Sequence, residues 1–78
     1  MLEVGKTYII TTAGGRKATC LLNLPQSEAI FLVQGNAMTP FVAWGYKQEQ
    51  DDTSFVSCFH GRYYKDIVQA LVAEKVIK

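Results

Sequence analysis

Cys58 and His60 lie two residues apart in an apolar run, so on an extended strand both side chains leave the same face, as a thiol and an imidazole must to form a nucleophile–base pair. His60 is the only histidine of the chain. A working thiolate also needs a group that orients the imidazole and donors for an oxyanion, and no stretch of the sequence marks either. Cys20, Cys58 and His60 offer at most three zinc ligands and lack the closely spaced cysteine pairs of structural zinc sites. The carboxylates of Glu49, Asp51 and Asp52 lack the ligand spacing and glycine of a calcium loop. The reading is a protein without catalytic residues, metal or cofactor.

The elements that carry these residues are short and strand-like. Gly14 and Gly15 can both take positive φ and close a tight hairpin, which opposes Ala13 to Arg16, Thr11 to Ala18, Ile9 to Cys20 and Thr7 to Leu22. That register gathers Ile9, Ala18, Cys20 and Leu22 on one face. The other face holds Tyr8, Ile10, Thr12, Lys17, Thr19 and Leu21, so neither side is cleanly solvent-facing, which suits a curled sheet or small barrel. Pro25 places a loop over residues 24–28. A third strand, Ala29 to Gln34, is apolar throughout and reads as buried on both faces. The fourth, Phe41 to Tyr46, puts Val42, Trp44 and Tyr46 on one side and Phe41, Ala43 and Gly45 on the other, whose small residues imply something packed closely above them.

The polar run Lys47 to Thr53 reads as an exposed hairpin tip, followed by a fifth strand from about Ser54 to His60 that Gly61 breaks. Asp66 and Gln69 have the spacing of a capping box, opening a helix from Ile67 to Ile77. Ile67, Val68, Leu71, Val72 and Val76 form its apolar stripe, expected to dock on the sheet, with Gln69, Glu74 and Lys78 on the wetter side beside Ala70 and Ala73. Residues 1–78 are thus one α+β domain: an antiparallel sheet of about five strands, curled or barrel-like, with one C-terminal helix packed on it.

Composition narrows the function classes. A chain of 78 residues buries roughly 60% of its unfolded surface and is thinly stabilised, so a second subunit contributes appreciably. With 49% hydrophobic and 19% charged residues it is a folded protein with apolar surface to spare, and a net charge of +1 builds in no long-range attraction to nucleic acid or anionic lipid. The N-terminus lacks a secretory pattern, and the longest apolar run, Ala29 to Val33, is too short to cross a bilayer, so the expectation is a cytoplasmic protein without membrane contact. In that setting Cys20 and Cys58 read as buried thiols, not a disulfide.

Two binding readings follow. Trp44, Tyr63 and Tyr64 near Lys6, Arg16, Lys17, Arg62 and Lys65 have the ingredients for stacking bases and meeting phosphates, against which stand the net charge and the acidic tip. A protein–protein surface needs fewer assumptions, because Trp, Tyr and Arg are the residues enriched at interface centres. The segments Thr39-Pro40-Phe41-Val42-Ala43-Trp44-Gly45-Tyr46 and Phe59-His60-Gly61-Arg62-Tyr63-Tyr64, with the Ala70 helix, resemble small uncharacterised proteins of bacterial phages and plasmids, over residues 39–72. Those proteins commonly carry Trp where His60 stands. The resemblance implies a mobile-element setting, in which small proteins often occlude a larger host machine as anti-CRISPR proteins do, and it implies no activity. The expected function is a non-enzymatic binding or inhibitor protein, homodimeric, meeting a protein partner through Trp44, His60, Arg62 and Tyr63, with nucleic-acid binding as the alternative.

Overall fold

The structure is a computed structural model that describes residues 2–48 and 54–77. Strands β1 (Thr7–Ile10), β2 (Arg16–Leu24), β3 (Glu28–Val33), β4 (Phe41–Gln48) and β5 (Phe55–Tyr64) follow one another around a closed barrel, and helix α1 (Ile67–Ala73) lies outside it. All neighbours pair antiparallel except β1 and β5, which close the barrel in parallel through Ile9–Phe55 and Ile10–Val56. The sheet is therefore mixed, mostly antiparallel, and the α+β class holds. The acidic residues Glu49, Asp51 and Asp52 lie outside the described residues, while Lys47 and Gln48, expected in the tip, extend β4.

The first hairpin keeps its glycines and changes its register. Gly14 and Gly15 do take positive φ, 68° and 79°. Thr11–Ala13, however, coil into a 3₁₀ turn, so Ala18 pairs with Tyr8 in place of Thr11, a shift of three residues. An odd shift exchanges the faces of a strand. Tyr8 and Ile10, not Ile9, enter the core.

Inside the barrel, Tyr8, Ile10, Ala18, Cys20, Phe31, Val33, Val42, Trp44, Val56 and Cys58 form one apolar cluster, closed at one end by Leu2. Leu2 is held there by Asn23, whose Oδ1 accepts from the Leu2 N–H and whose Nδ2 donates to its carbonyl. Phe31 and Trp44 pack ring to ring at 5.6 Å. A second cluster lies outside the barrel, where Ile30 and Ala43 sit under Ala70 of α1, flanked by Leu22, Leu24, Phe41, Ile67 and Leu71. The outer face of β3 is thus buried only at Ile30, under α1, whereas Leu32 on the same face is 40% exposed, so the expected burial of the whole strand on both faces does not hold; the small Ala43 is what lets the helix approach.

Two bulges allow one strand to feed both clusters. β2 shifts register between Cys20 and Leu22, so Cys20 points inward and Leu22 outward, although the regular alternation expected both on one side. β5 does the same at His60-Gly61, which together oppose Trp44. Gly61 therefore does not break the strand. β5 runs ten residues, with Val56 and Cys58 inside and Arg62 and Tyr64 outside.

Helix α1 begins as the sequence implies. The Asp66 carboxylate accepts from the Gln69 N–H at 2.8 Å, and the Gln69 side chain reaches back to the N–H of Lys65, one residue before the cap. It ends earlier than expected, at Ala73, because Lys75 turns left-handed (φ 62°) and the Val76 N–H folds back to the Leu71 carbonyl. Its docking face is also rotated from the expected stripe. Ala70 is fully buried and Ile67 and Leu71 pack beside it, whereas Val68 and Val72 are 58% and 48% exposed.

Candidate interaction surface on strand β5

The bulge in β5 decides where each singled-out residue goes. Trp44 is 6% exposed and belongs to the barrel interior, so it is a wall behind the surface, not part of it. Its indole lies against Gly61: a Cβ there would stand 2.7 Å from Nε1 and 2.9 Å from the Tyr63 ring. Glycine is required for space. Tyr63, 54% exposed at the rim, meets Trp44 edge-on at 6.4 Å. On the outer face Phe59 lies over Gly45, where a Cβ would come within 2.7 Å of the ring, which explains the small residue expected in that position.

His60 sits between these aromatics with φ 55°, a left-handed conformation that strains a side chain other than glycine. It is exposed, its ring edge-on to Phe59 at 5.5 Å. The bulge thereby separates His60 from Cys58, and the pair expected on one face does not form. Cys58 points inward, and burial pushes its thiol up to about 12, far from a thiolate at neutral pH. Cys20 is likewise buried, free and raised by burial.

Arg62 is the centre of a charged clasp. Its Nε and Nη2 donate to Glu74, the C-cap of α1, at 2.7 and 3.0 Å, and Nη2 also donates to Glu28 of β3. Tyr64 completes it, its hydroxyl donating to Glu74 Oε2 at 2.6 Å. The hydrogen bond from Arg62, reinforced by Tyr64, holds the Glu74 carboxyl below its ordinary range. The guanidinium is correspondingly raised, chiefly by its bond to Glu74. Three elements are thus tied together by one side chain. Glu74, expected on the wetter face, stands one turn beyond Ala70 and so shares its docking side; that spacing is the only signal of it in the sequence.

Of the four expected site residues, then, His60 and Tyr63 are exposed, Arg62 is half-exposed and engaged within the chain, and Trp44 is interior. Of the basic and aromatic residues of the nucleic-acid reading, Arg62 is balanced by two carboxylates, Tyr64 is tied to Glu74, and Lys6 lies 5.1 Å from the ring of the buried Tyr8. Phe59, which sequence reasoning passed over, is exposed as well, on the outer face of β5 beside His60, whereas Tyr63 lies on the side of Trp44.

A shallow groove of about 270 Å³ lies elsewhere, between Tyr46 and the β2–β3 turn, lined by Asn23, Pro25, Gln26 and Ser27. It is smaller than typical ligand pockets and is lined by no charged side chain. Among the described residues no group of histidine, cysteine and carboxylate side chains is arranged to hold a metal, and no helix is long and apolar enough to cross a membrane. No family model, curated protein or solved structure matches this chain.

Proposed function

We propose that this is a non-enzymatic binding protein that meets a protein partner through the exposed residues of β5, namely Phe59, His60, Tyr63 and the exposed part of Arg62. The observation that carries the reading is the way these residues are supported. Phe59 and Tyr63 are both about half-exposed, yet each ring rests on a fixed backing, Gly45 for one and Trp44 for the other. Aromatic side chains held in place before binding lose little entropy on association, which is how a few residues come to dominate an interface. The strained φ of His60 is maintained between them, and such strain concentrates where a side chain must be aimed.

The protein is proposed to act in the cytoplasm as a homodimer and, on the resemblance of residues 39–72 to proteins of phages and plasmids, as a mobile-element accessory or inhibitor. Affinity capture from lysate, run with and without nuclease and repeated with His60→Ala/Tyr63→Ala, tests the reading. The expected result is a nuclease-resistant protein that the double variant fails to retain. Capture that nuclease abolishes would replace it with nucleic-acid binding, and equal capture by the double variant would remove the site.

A further inference from the structure

Strand β5 carries an unfinished edge. Opposite β4, β1 pairs with it only at Phe55 and Val56, after which the Thr12 hydroxyl stands in for a strand, donating to the Cys58 carbonyl at 2.7 Å and accepting from its N–H at 2.9 Å. At the far end the Lys65 N–H is capped by the Gln69 side chain at 2.9 Å. Between these two caps no described strand lies against β5.

Alternation along β4 tells which groups face that gap. Val33 N–H donates to the Pro40 carbonyl and Tyr46 N–H to the Ser27 carbonyl, both toward β3. Phe41, Ala43 and Gly45 therefore turn their backbone groups toward β5, and their partners Tyr64, Arg62 and Phe59 turn theirs toward β4. The Thr12 bonds to Cys58, the partner of Tyr46, obey the same alternation. Tyr63 must then direct both its N–H and its carbonyl to the open edge. Such an edge is a template for another strand unless Lys, Pro, a bulge or a covering loop blunts it; residues 59–64 contain neither Lys nor Pro, and beyond the bulge at His60-Gly61 the stretch Arg62 to Tyr64 is regular.

We propose that a second copy of this chain completes the edge, β5 pairing antiparallel with its counterpart about a two-fold axis at Tyr63, each Tyr63 N–H donating to the other's carbonyl. The proposal deepens the homodimer of the proposed function and rests on that part of the reading. The register is self-complementary. It sets Arg62 opposite Tyr64, Gly61 opposite Lys65, and His60 opposite Asp66, of which only one carboxylate oxygen is engaged at Gln69. No like charges oppose one another, because Arg62 faces a phenol and is already balanced by Glu28 and Glu74. Gly61 near the axis lets the second backbone approach. The two-fold also lays both Tyr63 rings on one face of the joined sheet, with Arg62 and Tyr64 of both copies on the other.

The test is sedimentation equilibrium of the unmodified chain and of a semisynthetic chain N-methylated at Tyr63, for which Cys58 supplies the ligation junction. N-methylation removes the edge donor and keeps every side chain. The wild type should dimerise with a dissociation constant in roughly the micromolar range, as a small interface gives, and the N-methyl chain should raise it about 30-fold through the two bonds lost per dimer, with an unchanged circular dichroism spectrum. If the modified chain does not fold, hydrogen exchange on the unmodified chain decides: the Tyr63 amide should gain protection with protein concentration, and concentration-independent exchange would overturn the proposal. A wild type that stays monomeric overturns it too, as does a dimer indifferent to N-methylation, which would point to the exposed Val68 and Val72 face. A dimer that persists while His60→Ala/Tyr63→Ala retains the captured partner would strike the partner site alone.

Discussion

In the barrel interior, Tyr8, Phe31, Trp44 and Val56 pack into one apolar cluster, the Tyr8 hydroxyl reaching out to accept from the Glu3 N–H, whereas at the seat of α1 the small side chains of Ala43 and Ala70 bring helix and sheet together beneath a lattice of Arg62, Glu28, Glu74 and Tyr64. The interior gains its stability from area and close packing, which are indifferent to pH. The helix seat has little area to bury, since α1 is seven residues long and too short to persist alone, and it adds directional charged bonds. The two regions share strand β5, whose bulge turns Cys58 to one and Arg62 to the other. The exposed residues of β5, standing between a rigid wall and a polar clasp, combine fixed aromatics with an adjustable rim.

The comparison breaks most sharply at Phe31. Phe31→Ala should cost about 3–5 kcal/mol in urea unfolding, a large part of the roughly 4–12 kcal/mol available to a domain of this size, and equally so at pH 4 and pH 7. Gly61→Ala comes next, at about 1–3 kcal/mol, because the added methyl overlaps Trp44, which is boxed in by Phe31 and cannot yield. Gly45→Ala should cost less in the same titration, since the half-exposed Phe59 ring can swing outward.

Arg62→Ala should cost about 1–2 kcal/mol at pH 7, more than an exposed ion pair, because Glu74 keeps only Tyr64 as a partner. The sign of its pH dependence follows from the lowered Glu74 carboxyl. A group whose pKa is depressed by folding contributes stability above its unfolded value and loses it as pH falls through the folded one. Wild type and Arg62→Ala should therefore converge below about pH 4 in unfolding midpoints, whereas convergence at alkaline pH would contradict the clasp. The smallest effect, and a gain, is expected of His60→Gly: relief of the left-handed strain should raise stability by about 0.5–1 kcal/mol in thermal unfolding, while His60→Ala should not.

Much of the fold is written in local pattern. The double glycine, the capping residues Asp66 and Gln69, the inner and outer burial of β3 at Phe31 and Ile30 and the alternation of β4 each carry their own signal, and each is found in the structure. What escapes is everything set by an odd residue. The 3₁₀ turn at Thr11–Ala13 moves the first hairpin by three positions, and the bulges at Leu21 and His60-Gly61 reverse the faces beyond them. Period-two reasoning has no means of detecting an inserted residue, because the inserted residue is itself strand-like. The same inserted residue parts His60 from Cys58, whereas Trp44 is interior because a residue type common at interfaces fills small cores equally well. Arg62, expected to meet a partner, is engaged within the chain, and its own partner Glu74 lies outside the sheet and is found only when the helix docks.

Amide hydrogen exchange, read as protection factors at pH 7 and near pH 3.5, measures the two regions separately in one molecule. The account predicts that on acidification the amides of α1 lose protection by a larger factor than those of Phe31 and Val42, and that Glu74→Gln removes the difference. Equal loss in helix and barrel would mean that the clasp does not hold α1, and the comparison would fail at its root.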